Sequence, residues 1–341
     1  MNAPRILTVA TANPPNRFTQ EELLALAGYR DARRRGFFLN SGIGSRYLAI
    51  DRDGFRPTET IDALQSRFRK ASVDLGCQAL LRALEQADLT AGDLDFLATT
   101  TCTGRLCPSL DTYLIRELGL RPDVQRVHVG DTGCAAAVVA LQQAVNYLRA
   151  FPGRRAAVVA IEVSSASYYL DEALETAVAN AIFADGAAAL ILACEGSGPE
   201  VAAHRTLLRP EYLDLMGFTY PDGRPRILLS KDIRHIAVDM LQGLVGEMLR
   251  AQGLEQVDIR HWVLHSAGYR VLDRAERQLG LPETALVPSR AVLRRFGNMS
   301  SATVLFVLQE VLATRRPQAD EWGLMAALGP GFAAEGALLK W

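Results

Sequence analysis

The amino-acid sequence contains two segments that follow the same order of structural signals, about half a chain apart. Residues 87–104 and residues 253–268 each pass from the end of a helix through an acidic turn into a strand that ends at a polar, glycine-containing loop. The glycines that end the two segments are 164 residues apart, and so are Cys134 and Asn298, each of which follows a glycine farther along. This agreement in order and spacing predicts an internal duplication.

Two further pairs of motifs repeat in the same order. A Leu-Gly-Leu string ends the next predicted helix in each half, at 118–120 and at 279–281. Farther along, Ala-Asp-Gly-Ala at 184–187 is matched by Ala-Glu-Gly-Ala at 334–337. Because each repeat alternates strands with helices, the pattern predicts an α/β fold in which helices cover mixed sheets.

The duplication places three chemically useful side chains near one axis. The two halves are expected at residues 1–205 and 206–341, and pseudo-twofold symmetry brings their equivalent positions face to face. Cys134 and Asn298 are predicted to be equivalent, and His265 follows the strand that ends the second segment. We therefore expect a thiol, an imidazole and a carboxamide to converge from segments that are remote in sequence.

Composition restricts the class of protein. The 341 residues carry a net charge of −1, with 49% hydrophobic and 22% charged residues, which fits a large core and does not favour a nucleic-acid partner. The sequence has no run of about 18 apolar residues, so no membrane span is expected. The N-terminal residues fit a first strand rather than a signal peptide. Five cysteines, an odd number, indicate a reduced cytoplasmic protein. Cys102 and Cys107 have poor zinc spacing, so no metal site is expected.

Cys134 is the strongest candidate nucleophile. It follows a glycine at the predicted start of a long apolar helix, where unpaired N–H groups and the helix dipole favour an anion. A nearby imidazolium lowers a cysteine pKa further, so the sequence predicts a thiolate. The alternative is a buried cysteine that acts only as a small apolar residue.

Four longer motifs accompany the Gly133–Cys134 pair. They are Leu-His-Ser-Ala-Gly at 264–268, Gly-Asn-Met-Ser-Ser-Ala at 297–302, Phe-Ala-Asp-Gly-Ala-Ala-Ala at 183–189 and Gly-Pro-Gly-Phe at 329–332. Together with that pair they resemble the type III polyketide synthases, the chalcone synthase-like family of the thiolase superfamily. The resemblance runs from about Arg5 to Trp341, and a Thr-Cys-Thr-Gly string is similar to the bacterial branch. It implies a thiolase fold, an internally duplicated αβαβα architecture.

Three departures from the family pattern fall outside the candidate catalytic groups. Ala184 stands where the family commonly has glycine, and Ala327 and Leu328 stand where it has Gly-Phe. The segment 266–268 reads Ser-Ala-Gly where plant members have Pro-Gly-Gly. These changes affect the expected shape of the substrate cavity.

The resemblance implies a type III polyketide synthase, an acyltransferase that takes an acyl starter from acyl-CoA and extends it with malonyl-CoA. Cys134 is expected to hold the chain as a thioester, which remains reactive toward a carbanion. His265 and Asn298 are expected to donate hydrogen bonds to the enolate that decarboxylation produces. Cyclisation then gives an aromatic or pyrone product, and no cofactor is expected, because CoA thioesters are substrates. His261, four residues before His265 in the same strand, lies too far away and is expected to be structural.

The resemblance also implies a set of binding residues and a homodimer. Phe183 is expected to be a gate, and Cys107 is expected near the subunit interface. The densest basic run in the chain is Arg33–Arg35. Such a run on a helix is often only a solvated face, yet the family places CoA-binding cations in this part of the chain. Expected cavity residues are Phe183, Cys102, Cys107, Ser164, Ser167, Ile227, Ser300, Gly329, Pro330 and Gly331, and expected CoA-binding residues are Arg33, Arg34, Arg35, Lys231 and Arg270.

Two alternatives remain at this point. A β-ketoacyl carrier-protein synthase III or a related pyrone-forming ketosynthase shares the fold and the Cys-His-Asn set, but it accepts acyl carrier protein and usually stops after one condensation. A non-catalytic thiolase-fold scaffold is the alternative from another class, and it has no need of Cys134 as a reactive thiol.

Overall fold

The structure, a computed structural model, describes residues 3–52, 59–168, 170–171, 173–230 and 232–341, with the side chains of residues 222 and 234 excepted. The strands in these residues are β1 (Arg5–Ala12), β2 (Arg17–Thr19), β3 (Ser45–Tyr47), β4 (Phe96–Thr101), β5 (Gln125–Gly130), β6 (Arg155–Val163), β7 (Asp185–Ala193), β8 (Glu200–Leu208), β9 (Met216–Thr219), β10 (Arg226–Leu229), β11 (Ile259–Leu264), β12 (Trp322–Gly329) and β13 (Ala333–Lys340). The α-helices are α1 (Gln20–Ala27), α2 (Ala32–Leu39), α3 (Ile61–Gln86), α4 (Leu110–Leu118), α5 (Ala136–Ala150), α6 (Leu174–Ile182), α7 (Ile233–Gln252), α8 (Tyr269–Gln278), α9 (Val287–Phe296) and α10 (Thr303–Arg315).

The order of strands in the main sheet is close to a palindrome. It runs β11-β12-β13-β8-β1-β7-β6-β4-β5, so β8, β13, β12 and β11 mirror β1, β7, β6 and β4. The two halves of the sheet meet where β1 pairs with β8 at Arg5 and Glu200, and backbone hydrogen bonds from Ile6 to Pro199 and from Val201 to Pro4 flank this pair. This arrangement confirms the internal duplication that the sequence predicts.

Three hydrophobic clusters show the layers of the fold. The central cluster contains residues of α5 and α10 with residues from both halves of the sheet. A second cluster places α3 and α4 on the outer face of the first half, and a third places α7, α8 and α9 on the outer face of the second half. The predicted αβαβα architecture is therefore confirmed. Strands such as β4 and β7 are buried throughout because helices cover both of their faces.

The equivalence of the two halves at the candidate site differs from the one inferred from spacing. Short 3₁₀ helices, Gly133–Ala135 and Ser300–Ala302, begin α5 and α10, and the first residue of each has a positive φ, +58° and +45°. This geometry makes Cys134 equivalent to Ser301, and Asn298 lies three residues before that position. Gly297 also has a positive φ, +73°, but it lies three residues before the 3₁₀ helix, so the glycine in front of Asn298 is not the equivalent of Gly133.

Two further features depart from a simple repeat: the place where one half passes into the other, and the outer strands of the sheet. The division expected between residues 205 and 206 falls inside β8. The edge strand β5 has no counterpart beside β11, since residues 281–286 do not form a strand. Within the described part of the chain, no helix combines the length and the apolar character needed to cross a bilayer.

Candidate active site

Cys134 lies on a tight turn that requires glycine before it. Gly133 has a φ of +58°, a left-handed conformation that favours glycine. A Cβ atom at this position would also lie 2.3 Å from Cδ of Pro330. The turn therefore presents the half-buried Cys134 at the start of the 3₁₀ helix that continues into α5.

His265 follows β11 directly, and its backbone N–H donates a hydrogen bond to the carbonyl of Ala326 at 2.9 Å. Its side chain is buried, and neither ring nitrogen has a hydrogen-bond partner among the described residues. Burial lowers the pKa of His265 to about 4, so the imidazole is neutral near pH 7. An unpartnered, buried imidazole is available to a substrate oxygen.

Asn298 has a fixed carboxamide. Its Oδ1 accepts a hydrogen bond from the backbone N–H of Ser300 at 2.9 Å, and its Nδ2 donates to the carbonyl of Ala267 at 3.3 Å. Since an amide NH₂ has two hydrogens, one remains for a ligand. The residue is buried, and its carboxamide lines a cavity.

Cys134, His265 and Asn298 line the same cavity, which has a volume of about 810 Å³. The structure thus brings together the three side chains that the sequence predicts to converge. The remaining walls are largely apolar, and they come from both halves and from α6 and the β9–β10 region. They include Phe37, Leu174, Val178, Ile182, Phe183, Met216, Leu229, Val271, Leu328 and Phe332.

A short polar network connects Cys134 to a buried carboxyl group. The Oγ atom of Ser300 lies 3.4 Å from Sγ of Cys134 and 3.1 Å from Sγ of Cys102. The Cys102 backbone N–H donates to Glu162 at 3.1 Å, and the hydroxyl of Ser301 also donates to Glu162. Glu162 therefore joins the loop after β4 to the 3₁₀ helix before α10, across the boundary between the halves.

Glu162 is a site residue that the sequence interpretation missed. It is fully buried at the end of β6, and burial raises the pKa of its carboxyl group. A charged residue in an otherwise apolar strand, Ala156–Val163, was the available signal, because buried carboxyl groups need several hydrogen-bond donors.

The protonation state of Cys134 differs from the predicted thiolate. Burial raises the pKa of the Cys134 thiol to about 12; the Ser300 hydroxyl lowers the pKa, and the negative charge of Glu162 raises it further. Burial lowers the pKa of His265 as well, so the unliganded site holds a neutral thiol and a neutral imidazole. Desolvation outweighs the helix N-terminus here.

This assignment predicts how Cys134 reacts with iodoacetamide. The alkylation rate should rise about tenfold per pH unit between roughly pH 7 and pH 9, because the thiolate fraction rises by that factor below the pKa. The measurement is mass spectrometry of the Cys134 peptide after timed alkylation. A rate that stays constant across this range would show an ion pair formed in advance and would contradict the assignment.

Phe183 separates the large cavity from a small one of about 10 Å³. Ser164, Ser167 and Ile227 line the small cavity, together with Phe183. These residues, expected to be part of the substrate cavity, therefore lie behind the aromatic ring and not beside Cys134.

Four other residues expected in the substrate cavity lie outside the lining of the large cavity. They are Gly329, Pro330, Gly331 and Cys107. Gly329 and Pro330 pack against the turn that holds Cys134: a Cβ atom on Gly329 would lie 2.4 Å from the carbonyl oxygen of Thr132. They and Gly331 are not among the residues that line the large cavity, whereas their neighbours Leu328 and Phe332 are. Cys107 is exposed, away from the lining of that cavity.

The basic residues divide into two groups. Arg33 on α2 and Arg270 on α8 line the cavity that contains Cys134. Arg34 pairs with Asp31 at 2.9 Å, and Arg35 is exposed and is not part of the cavity lining. The expected CoA ligand Lys231 lies outside the described residues.

Two other expectations concern residues outside the site. His261 Nε2 contacts Glu321 at 2.7 Å and its ring packs on Trp341, as expected for a structural residue. Within the described ranges, no group of three or more His, Cys, Asp or Glu side chains is arranged to hold a metal ion.

Two protein-family models, several curated proteins and several solved structures match this chain. The model of the chalcone and stilbene synthases, C-terminal domain, matches residues 225–341, and the model of FAE1/type III polyketide synthase-like proteins matches residues 40–209. A 3,5-dihydroxyphenylacetyl-CoA synthase of Streptomyces toyocaensis is 34% identical and covers 99% of this chain, with 90% of the relative covered. A 1,3,6,8-tetrahydroxynaphthalene synthase of Streptomyces peucetius subsp. caesius is also 34% identical, with 98% and 93% covered. The crystal structure of PKS-I from the brown alga Ectocarpus siliculosus matches with a TM-score of 0.92 and 30% identity, covering 99% of this chain and 98% of that one.

Proposed function

Because this chain belongs to the chalcone and stilbene synthase family of type III polyketide synthases, we propose that Cys134 holds the growing chain while His265 and Asn298 generate the carbanion. The chain is an acyltransferase that condenses malonyl-CoA units with loss of CO₂ and cyclises the product to an aromatic or pyrone ring. The observation that supports the residue roles is the shared cavity, which a thiol, an unpartnered imidazole and an oriented carboxamide all line.

The first half-reaction transfers an acyl group to Cys134. The thiol sulfur attacks the carbonyl of acyl-CoA, and a ring nitrogen of His265 accepts the thiol proton. The C–S bond to CoA then breaks, and CoA leaves as a thiol after it takes that proton from His265. The neutral resting state of both residues fits this order, because the charged pair exists only during the transfer.

The second half-reaction makes and uses an enolate. Malonyl-CoA loses CO₂, and the electron pair left behind forms an enolate whose oxygen takes hydrogen bonds from the N–H of His265 and the NH₂ of Asn298. Neither donor carries a negative charge that would oppose the enolate, and the Asn298 carboxamide is held in place before the reaction. The enolate carbon attacks the Cys134 thioester, and the C–S bond breaks. The sulfur leaves as a thiolate that takes a proton from solvent, and a β-ketoacyl-CoA remains for another round.

A product assay tests this proposal. The protein is incubated with a panel of acyl-CoA starters and isotope-labelled malonyl-CoA, without carrier protein, and the products are identified by mass spectrometry. Cyclised products that contain two or more labelled malonyl units are expected. A requirement for acyl carrier protein, or a halt after one condensation, would contradict it.

Since decarboxylation itself supplies the carbanion, we expect no cofactor, and treatment with EDTA should leave the rate unchanged.

Arg33 and Arg270 are proposed to bind the phosphate groups of CoA. They belong to different elements, α2 and α8, and both line the cavity that contains Cys134. Replacing either by alanine should raise the KM for acyl-CoA and malonyl-CoA roughly tenfold with little change in kcat, because charge-assisted hydrogen bonds to phosphate are lost. Steady-state kinetics measures this effect.

Arg35→Ala is the matched control, because Arg35 is exposed on the same helix and is not part of the cavity lining. It should leave both constants unchanged. A fall in kcat with an unchanged KM in the Arg33→Ala or Arg270→Ala variant would remove that residue from the CoA site.

We also propose that the protein is a homodimer in the cytoplasm, where CoA thioesters are made. Among the described residues, strand β5 is the outer strand of the sheet and pairs with β4 alone, and its residues are partly exposed. Such an edge is suited to pairing with a second copy, and the expected role of Cys107 at the subunit interface depends on that copy. Sedimentation equilibrium should give twice the mass of one chain; the mass of a single chain would contradict the dimer.

A further inference from the structure

Arg46, in strand β3, is a buried cation on the far side of the segment that carries Phe183. Its side chain is completely excluded from solvent, and it makes no salt bridge with a carboxylate in the part of the chain that the structure describes. Burial lowers its pKa to about 10, while the nearby Tyr168 and Asp185 raise it, so the guanidinium stays charged near pH 7. A buried charge is costly unless hydrogen bonds satisfy it, so its partners are informative.

Arg46 contacts the backbone beside the gate, one glutamine and the hydroxyl of Tyr168. One terminal nitrogen of the guanidinium donates to the carbonyl of Phe183, and Nε donates to Oε1 of Gln20 at 3.0 Å. Gln20 in turn donates from Nε2 to the carbonyl of Ala181 at 2.8 Å. The two side chains therefore hold two carbonyls at the end of α6.

The carbonyl between these two is held by the candidate catalytic residue itself. The backbone N–H of Asn298 donates to the carbonyl of Ile182 at 2.9 Å, and the carbonyl of Asn298 accepts from Ala184 N–H at 2.8 Å. These bonds form a short bridge between residues 183 and 298. The position of the Asn298 backbone thus depends on the segment that Arg46 and Gln20 fix.

Arg46 also contacts the residue before Asn298. A Cβ atom on Gly297 would lie 2.7 Å from both Cγ and Cδ of Arg46, so only glycine leaves room for the arginine side chain. The stem of Arg46 packs against one side of the bridge, and its guanidinium bonds the other side. A planar group with several fixed donors suits this double role, which a flexible lysine amine fills less well.

We propose that Arg46 is a positioning residue for condensation, which sets the Asn298 carboxamide and the Phe183 ring in the cavity by fixing the bridge between residues 183 and 298. The proposal rests on the proposed roles of Cys134 and Asn298. Because the bridge supports Asn298 and not the turn of Cys134, loss of Arg46 should impair decarboxylation far more than acylation of Cys134.

The test compares two partial reactions of the Arg46→Met variant. Methionine keeps an unbranched apolar stem and removes the donors. Malonyl-CoA decarboxylation, measured as CO₂ release, should fall about 100-fold, since a misplaced group costs this much even when it remains present. Acylation of Cys134 by an acyl-CoA, measured by intact-protein mass spectrometry, should change only a few-fold. An equal loss in both reactions, or no loss in either, would overturn the proposal.

Two further variants keep the result interpretable. Arg52→Met removes a nearby arginine that is exposed and stacks on Phe18, and it should leave the ratio of the two reactions unchanged. If Arg46→Met does not fold, Arg46→Lys keeps the charge but not the two-armed contact, and the same selective loss of decarboxylation is expected. An equal loss in that variant would again overturn the proposal. Failure of the wild-type protein to decarboxylate malonyl-CoA would instead contradict the proposed function.

Discussion

Replacing Cys134 by alanine is expected to abolish polyketide formation while malonyl-CoA decarboxylation persists. Without the sulfur no acyl chain is held in the cavity, and removal of a catalytic nucleophile lowers turnover by more than about 10⁴-fold. His265 and Asn298 remain in place, however, because the contacts that fix them do not involve the Cys134 side chain. Liquid chromatography with mass spectrometry measures the products, and CO₂ release measures the residual reaction.

Cys77→Ala serves as the matched control for this change. Cys77 is another free, half-buried cysteine whose thiol pKa is raised by burial, but it lies on α3, away from the cavity that contains Cys134. The control should retain full product formation. Continued synthesis by the Cys134→Ala variant would show that another group holds the chain.

Asn298→Ala should produce the opposite pattern. Loss of one preorganised donor to a developing oxyanion costs roughly 2.7–4 kcal/mol, about 10²–10³ in rate. Decarboxylation should fall by that factor, whereas acylation of Cys134 should decline only a few-fold, because the thiol and His265 are unchanged. Single-turnover acylation and CO₂ release from the same preparation provide the comparison, and an equal loss of both would contradict the division of roles.

Asn298→Asp sharpens this test. The aspartate keeps an oxygen that accepts the Ser300 N–H bond, so the turn is preserved. It removes the donor, however, and it introduces a carboxylate that opposes the enolate. Decarboxylation should be as slow as in Asn298→Ala or slower, with a similar midpoint of thermal unfolding to the wild type. A rate near that of the wild type would show that Asn298 acts through its shape alone.

The sequence was sufficient to predict the duplication and the convergence of three side chains. Strand ends and glycine turns leave local signals, and those of Gly133 and His265 are clear in the sequence. The pairing of Cys134 with Asn298 as equivalent residues was wrong by three positions, because a glycine precedes each of them. Only the backbone shows that the 3₁₀ helix of the second half begins at Ser300 and not at Gly297, although both residues have a positive φ.

The charge state of the site was beyond sequence reasoning. A helix start and a nearby histidine predict a thiolate, but the walls that bury Cys134 come from segments up to some two hundred residues away. Burial by these walls raises the pKa of Cys134 and lowers the pKa of His265, which disfavours the charged form of each group. Arg46 was missed for a related reason: a single arginine in Ser45–Tyr47 has no pattern, and its meaning comes from contacts with the end of α6.

Glu162 links the two halves of the fold, because it accepts a hydrogen bond from Ser301 in one half and from Cys102 in the other. A chain that ended after β8 would contain the nucleophile but neither the imidazole nor the carboxamide. The proposed site is therefore complete only when both halves are docked, and its chemistry depends on their contact.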